Sequence, residues 1–87
     1  MTRKIVGMIQ PFNLRQTFYV YEDGNKVASA EPKIEEINET VFSFMQEYDV
    51  NELNLLGPKQ YNRGLSKKLK QEELNKFGLN KLEINIG

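Results

Sequence analysis

Between Glu52 and Tyr61 the chain reads Glu-Leu-Asn-Leu-Leu-Gly-Pro-Lys-Gln-Tyr. Leu53 and Leu55 alternate with Glu52 and Asn54, the two-residue period of a half-buried strand. Gly57 and Pro58 follow at once, and then a helical pattern. Glycine frees the backbone at such a junction. Proline suits a first helical position, where its missing N–H would have no partner anyway. A strand that passes straight into a helix restricts the chain to folds in which helices connect strands of one sheet.

The remaining segments fit that restriction. Lys4 to Gln10 predicts a strand, bounded by Pro11, with Ile5, Gly7 and Ile9 on one side and Val6 and Met8 on the other. Thr17 to Glu22 predicts a second, rich in aromatic and β-branched residues. Asp23-Gly24-Asn25 signals a hairpin into a short third strand, Lys26 to Ala30, because Gly and Asn accept positive φ. The loop between the first two strands carries two apolar residues, Phe12 and Leu14.

From Pro32 a helix is expected, with Ile34, Ile37, Val41, Phe44 and Tyr48 forming one stripe, Met45 at its border and Phe42 on its flank. Glu35 and Glu36 in its first turn favour the positive end of the helix dipole. The helix from Pro58 is expected to bury Tyr61, Leu65 and Leu69 and to kink or end near Gln71. Gly64 in its interior is read as allowing a close approach to the sheet, and Gly7 as doing the same or marking a bulge. Gly78 reads as a helix stop. Lys81 to Ile86 predicts a last strand with Leu82, Ile84 and Ile86 inward.

The order is therefore β-β-β-α-β-α-β in a single domain spanning residues 1–87. A chain of this length buries roughly 60% of its unfolded surface, enough for one modest core. The order resembles the opening of the ribonuclease H-like fold, which places its strands 3-2-1-4-5. The resemblance implies an α/β (α+β) domain: a two-layer, five-stranded mixed sheet with two helices. Right-handed crossovers in that order put both helices on one face. With the chain ending at Gly87, the other face is expected to stay uncovered. Val6, Met8, Tyr19 and Tyr21, with Ala28 and Ala30, are assigned to that face beside a polar half of Asn54, Glu83 and Asn85. Contiguous apolar surface of that kind marks interaction sites. The alternative is that lysine stems and the Phe12/Leu14 loop fold over it.

Function classes narrow by composition. The chain has no cysteine and no histidine, which removes thiolate chemistry, Cys-based metal sites and the usual neutral-pH base. A non-enzymatic protein without a cofactor is expected. In the resembling enzymes carboxylates hold metal ions, one of them on the first strand. Here that strand is Lys-Ile-Val-Gly-Met-Ile-Gln, without an acid, and Asp49 and Glu52 lack the partner for a two-metal clamp. A metal-dependent nuclease is the remotest alternative.

Net charge is zero but segregated: Glu31 to Glu52 holds seven acids and one lysine, and Lys59 to Lys70 holds five basic residues and no acid. Lys59, Arg63, Lys67 and Lys70 fall on one helical stripe that could follow a phosphate backbone or an acidic partner. The alternatives are a solvated face or pairing with the acidic first helix. Gly57-Pro58-Lys59 with Gln60 could offer a helix start to an anion, or be only a tight turn. No apolar run is long enough for a membrane helix, and the N-terminus lacks signal-peptide features, so a cytoplasmic location is expected. Lysine outnumbers arginine and asparagine is frequent, a bias matching AT-rich coding in low-GC bacteria or their phages. Leu-Leu-Gly-Pro-Lys-Gln-Tyr also resembles passages in small phage proteins. The leading expectation is an accessory protein that binds a protein partner, or itself as a dimer, through the uncovered sheet face. Nucleic-acid binding along the basic stripe is the alternative.

Overall fold

A computed structural model describes residues 2–10, 12, 14–69 and 71–86. Five strands, β1 (Arg3–Ile9), β2 (Gln16–Glu22), β3 (Asn25–Ala30), β4 (Glu52–Leu55) and β5 (Glu83–Ile86), form one mixed sheet. Their order across it is β3-β2-β1-β4-β5. β1 pairs antiparallel with β2 and parallel with β4, and β4 pairs parallel with β5. Two helices, α1 (Ile37–Tyr48) and α2 (Lys59–Lys68), make the crossovers, so the fold is the expected α/β arrangement. Pro11, expected to bound β1, lies outside the described residues.

Local chemistry sets these elements. Asp23 and Gly24 both have positive φ, 51° and 85°, which makes the two-residue turn whose twist suits a hairpin. Asn25 already belongs to β3. Pro58 stands just before α2 as its cap, with ψ 124°, rather than as its first helical residue. α1 ends at Asp49, left-handed at φ 54°, and Arg3 Nη1 donates a 2.9 Å hydrogen bond to the Tyr48 carbonyl there. A cation at that end also meets the negative end of the helix dipole.

The core lies between the sheet and the helices. Ile5, Phe18, Val20, Leu53 and Leu55, every second residue of the three central strands, are sealed from solvent with Ile37, Val41, Phe42 and Met45 of α1 and Leu65 of α2. Both helices therefore cover one face. Gly7 shares that face without a bulge, in regular register with Phe18 and Leu55. A Cβ on Gly7 would stand 2.8 Å from Leu55 Cδ2 and 2.8 Å from Phe18 Cε1. The close approach is real at this glycine and absent at Gly64, where a Cβ meets nothing within 4 Å.

Two buried faces differ from expectation. In α1 the inward residues are Ile37, Val41, Phe42 and Met45. Ile34 precedes the α-helix in a 3-10 turn, Ile34–Glu36, and is 70% exposed. Tighter winding there takes Ile34 out of the α-helical phase. Phe44 and Tyr48 are left at the helix margin, stacked edge-on at 6.1 Å. In α2 the inward residues are Asn62 and Leu65, and Leu69 follows at the cap, while Tyr61 is exposed. The helix ends at Lys68, three residues before the kink or end expected near Gln71, and a 3-10 segment, Gln71–Phe77, follows. The change of winding turns Leu74 into the core and sets Phe77 5.7 Å from Phe42. Gly78, at φ 70°, stops it. Among the described residues no helix is long and apolar enough to cross a membrane.

Candidate functional site

The face away from the helices is laid out by strand register. One row across the sheet holds Lys26, Tyr21 and Lys4, and at the same level on the far side Glu52 pairs with Glu83. The next row holds Ser29, Tyr19, Val6, Asn54 and Asn85. The third has Thr17 opposite Met8, and on the β4 side the same phase continues to Leu56, whose N–H donates to the Gly7 carbonyl at 2.9 Å. Neither helix lies over this surface, and Val6, Met8, Tyr19 and Tyr21 share it, each half-buried. Thr17 is the exception and is buried, with Oγ1 unpartnered.

Ala28 and Ala30 belong to the other side. The β2–β3 register shifts between Val20 and Tyr21, so that Ala28 pairs with Val20 and Ala30 with Phe18, against the core. Ser29 takes the place next to Tyr19. A one-residue bulge exchanges the faces of every residue beyond it. The open face is correspondingly less apolar along β3.

The tyrosines form a small platform with polar edges. Their ring centroids are 6.2 Å apart and tilted by 49°. Lys26 Nζ stands 5.3 Å from the Tyr19 centroid, within cation–π range. Gln10 Nε2 donates a 2.6 Å hydrogen bond to the Tyr19 hydroxyl. On the far half, Asn85 Nδ2 donates to Glu52 Oε1 at 2.6 Å and to Asn54 Oδ1 at 3.3 Å. An aromatic and aliphatic centre inside a polar rim is the general anatomy of a protein interface.

Among the described residues between β1 and β2, Gln10 N–H donates to the Arg15 carbonyl and Leu14 N–H to the Gln10 carbonyl. Phe12 is left 98% exposed and Leu14 77% exposed, the latter at φ 56°, a conformation a leucine rarely adopts. β1, β3 and β4 point the same way, so this loop, Ile34, Leu56 and Tyr61 all gather at one end of the sheet. That exposed apolar end adjoins the open face at Met8 and Leu56. The residue types alone marked Phe12 and Leu14, but only the register shows that the end and the face are continuous.

The basic stripe is present on the helix side. Lys59, Arg63 and Lys67 are exposed at four-residue spacing on α2, and Lys70 lies outside the described residues. The ion pairs among the described residues are Arg3–Glu22, Arg15–Glu31 and Lys81–Glu83. None of them joins α2 to the acidic α1. At the start of α2, Gly57 at φ 111° makes a tight turn, Pro58 supplies no side-chain cap, and Lys59 and Gln60 point to solvent. Asp49 and Glu52 do not assemble a metal cluster: among the described residues no three Asp or Glu side chains come together.

No family model matches this chain, and neither a curated protein nor a solved structure matches it.

Proposed function

We propose that the protein is a small interaction module that docks through its open sheet face. The observation that carries this reading is the row structure of that face. Val6, Met8, Tyr19 and Tyr21 occupy its centre, uncovered by any described element, with Lys4, Lys26, Asn54 and Glu83 around them. Tyrosine and methionine at the centre of a polar-rimmed patch supply large contact area at small entropic cost. On this reading its task is binding.

One observation favours a second reading. Lys59, Arg63 and Lys67 of α2 form no ion pair among the described residues, so their charge is free for a phosphate backbone or an acidic surface. The stripe and the tyrosines lie on opposite faces, so a single strand could not use both.

Hydroxyl-radical footprinting separates the two. In concentrated cell extract, oxidation of Met8, Tyr19 and Tyr21 is expected to fall severalfold relative to the dilute purified protein, with exposed Tyr61 unchanged. Protection of Tyr61 instead, with the sheet face unaffected, would favour α2 and reject the sheet-face reading.

A further inference from the structure

Tyr21 sits between two lysines. In strand register it pairs with Lys4 of β1 on one side and with Lys26 of β3 on the other. Both lysines are exposed, and neither has an ion-pair partner among the described residues. The acids across the sheet are already engaged: Glu83 pairs with Lys81, and Glu52 accepts a hydrogen bond from Asn85. Tyr19 follows in the next row, its ring 6.2 Å from that of Tyr21, with Lys26 Nζ 5.3 Å from the Tyr19 centroid. Beside Tyr21 lies a recess of about 480 Å³ lined by Thr2, Lys4, Tyr21, Asp23 and Gly24. That volume is within the range of small-ligand pockets. The carboxylate in its wall, Asp23, already accepts a 2.9 Å hydrogen bond from the Thr2 N–H.

Lysines set directly beside the central ring do not suit a protein partner. Lysine is depleted in protein interfaces, because desolvating its ammonium is costly. A nucleic-acid strand reverses that balance: its bases stack on aromatic rings, and its phosphates meet the cations beside them. We infer that the open face binds single-stranded nucleic acid, with two successive bases stacked on Tyr21 and Tyr19 and the flanking phosphates at Lys4 and Lys26.

The geometry restricts the ligand further. The rings stand side by side, tilted by 49°, so each offers a face to its own base and the pair does not enclose one base between them. Gln10 Nε2 donates to the Tyr19 hydroxyl at 2.6 Å, which orients that ring before binding. Bases inside a duplex are stacked on one another and cannot reach the rings, so the ligand is a single strand. The amides of Asn54 and Asn85 are tied to each other and to Glu52, so base edges are read little and the site tolerates sequence.

This inference rests on the sheet-face reading and names its partner. Fluorescence anisotropy tests it with labelled oligo(U), oligo(dT) and a duplex, each about 12 nucleotides long, within the usual site sizes. The native chain is expected to bind a single strand, and the duplex roughly tenfold or more weakly. Binding of RNA alone, DNA alone or both identifies the source, and each supports the inference. Between about 50 and 200 mM salt, two phosphate contacts predict a slope of about −1.4 for log affinity against log salt. Lys4→Gln with Lys26→Gln is expected to flatten that slope towards zero. Tyr21→Leu keeps apolar bulk but removes the ring, and is expected to weaken binding by roughly tenfold or more. Tyr21→Phe keeps the ring and is expected to retain binding within about twofold, since stacking needs no hydroxyl. No binding of either single strand, equal binding of the duplex, or a Tyr21→Leu variant that binds as the native chain does would overturn the inference. Binding lost in Lys59→Gln with Arg63→Gln but kept in the Lys4/Lys26 variant would place the strand on α2 and overturn it as well. In either case, Met8, Tyr19 and Tyr21 still protected in nuclease-treated extract would leave the sheet-face reading intact with a protein partner.

Discussion

Gly7→Ala lowers the stability of the fold by about 2 kcal/mol, in the range that overpacking a closed core costs. The added methyl group would stand 2.8 Å from both Phe18 and Leu55, closer than carbon atoms tolerate. Neither neighbour has room to retreat. Phe18 is a rigid ring fully enclosed in the core, and Leu55 lies beneath the helices in the same cluster. β1 is the central strand, paired on both sides, so it cannot shift outward without disturbing β2 and β4. A domain of this size has a total stability of about 4–13 kcal/mol, so the loss is a sizeable share of it. Urea unfolding followed by circular dichroism checks it. A midpoint well below that of the native chain, at unchanged slope, is expected, and an unchanged midpoint would show that the strand can move aside.

Asn62→Leu acts in the opposite direction and raises stability by about 1–3 kcal/mol, the cost of an unsatisfied buried polar group. Asn62 is fully buried on the inner face of α2, and neither Nδ2 nor Oδ1 has a hydrogen-bond partner. Its side chain gives up water and receives nothing in exchange. Leucine is similar in size, has no polar atom to desolvate and favours a helix more. For a domain of this length each 1 kcal/mol moves the melting temperature by roughly 4–8 °C, so thermal unfolding resolves the effect. A lower melting temperature would mean that the amide is satisfied in solution.

These two positions show what the sequence made legible. Strand alternation and the Asp23-Gly24 turn marked the strands, the resemblance to the ribonuclease H-like order implied their arrangement across the sheet, and the handedness of crossovers in that order put both helices on one side. Gly7 was visible as an interruption, though its role depended on which rings faced it. Asn62 was hidden because polarity outweighed spacing. Positions 62, 65 and 69 repeat at three and four residues as well as 61, 65 and 69 do at four and four. Tyr61 was the apolar choice, and the backbone took the other. On α1 the 3-10 turn at Ile34 withdrew one residue from the stripe, and the larger pair Phe42 and Met45 became central.

The site was legible to the same degree. Met8, Tyr19 and Tyr21 followed from alternation within unbroken strands. Ala28 and Ala30 did not, because the bulge opposite Tyr21 has no signal in residue type and reverses the phase beyond it. The joining of Asn54 and Asn85 to the row of Val6 and Tyr19 depends on register between strands far apart in sequence, and becomes visible only when the sheet is assembled.

The open face contains Met8, while Met45 lies in the core, so two methyl groups report the two sides of the sheet. Methyl NMR of methionine-labelled protein with a soluble paramagnetic agent measures their access to solvent directly. In dilute protein the Met8 signal is predicted to broaden strongly while Met45 stays sharp. A Met8 signal as sharp as that of Met45 at every dilution would mean that the chain itself covers this face, and would contradict the account.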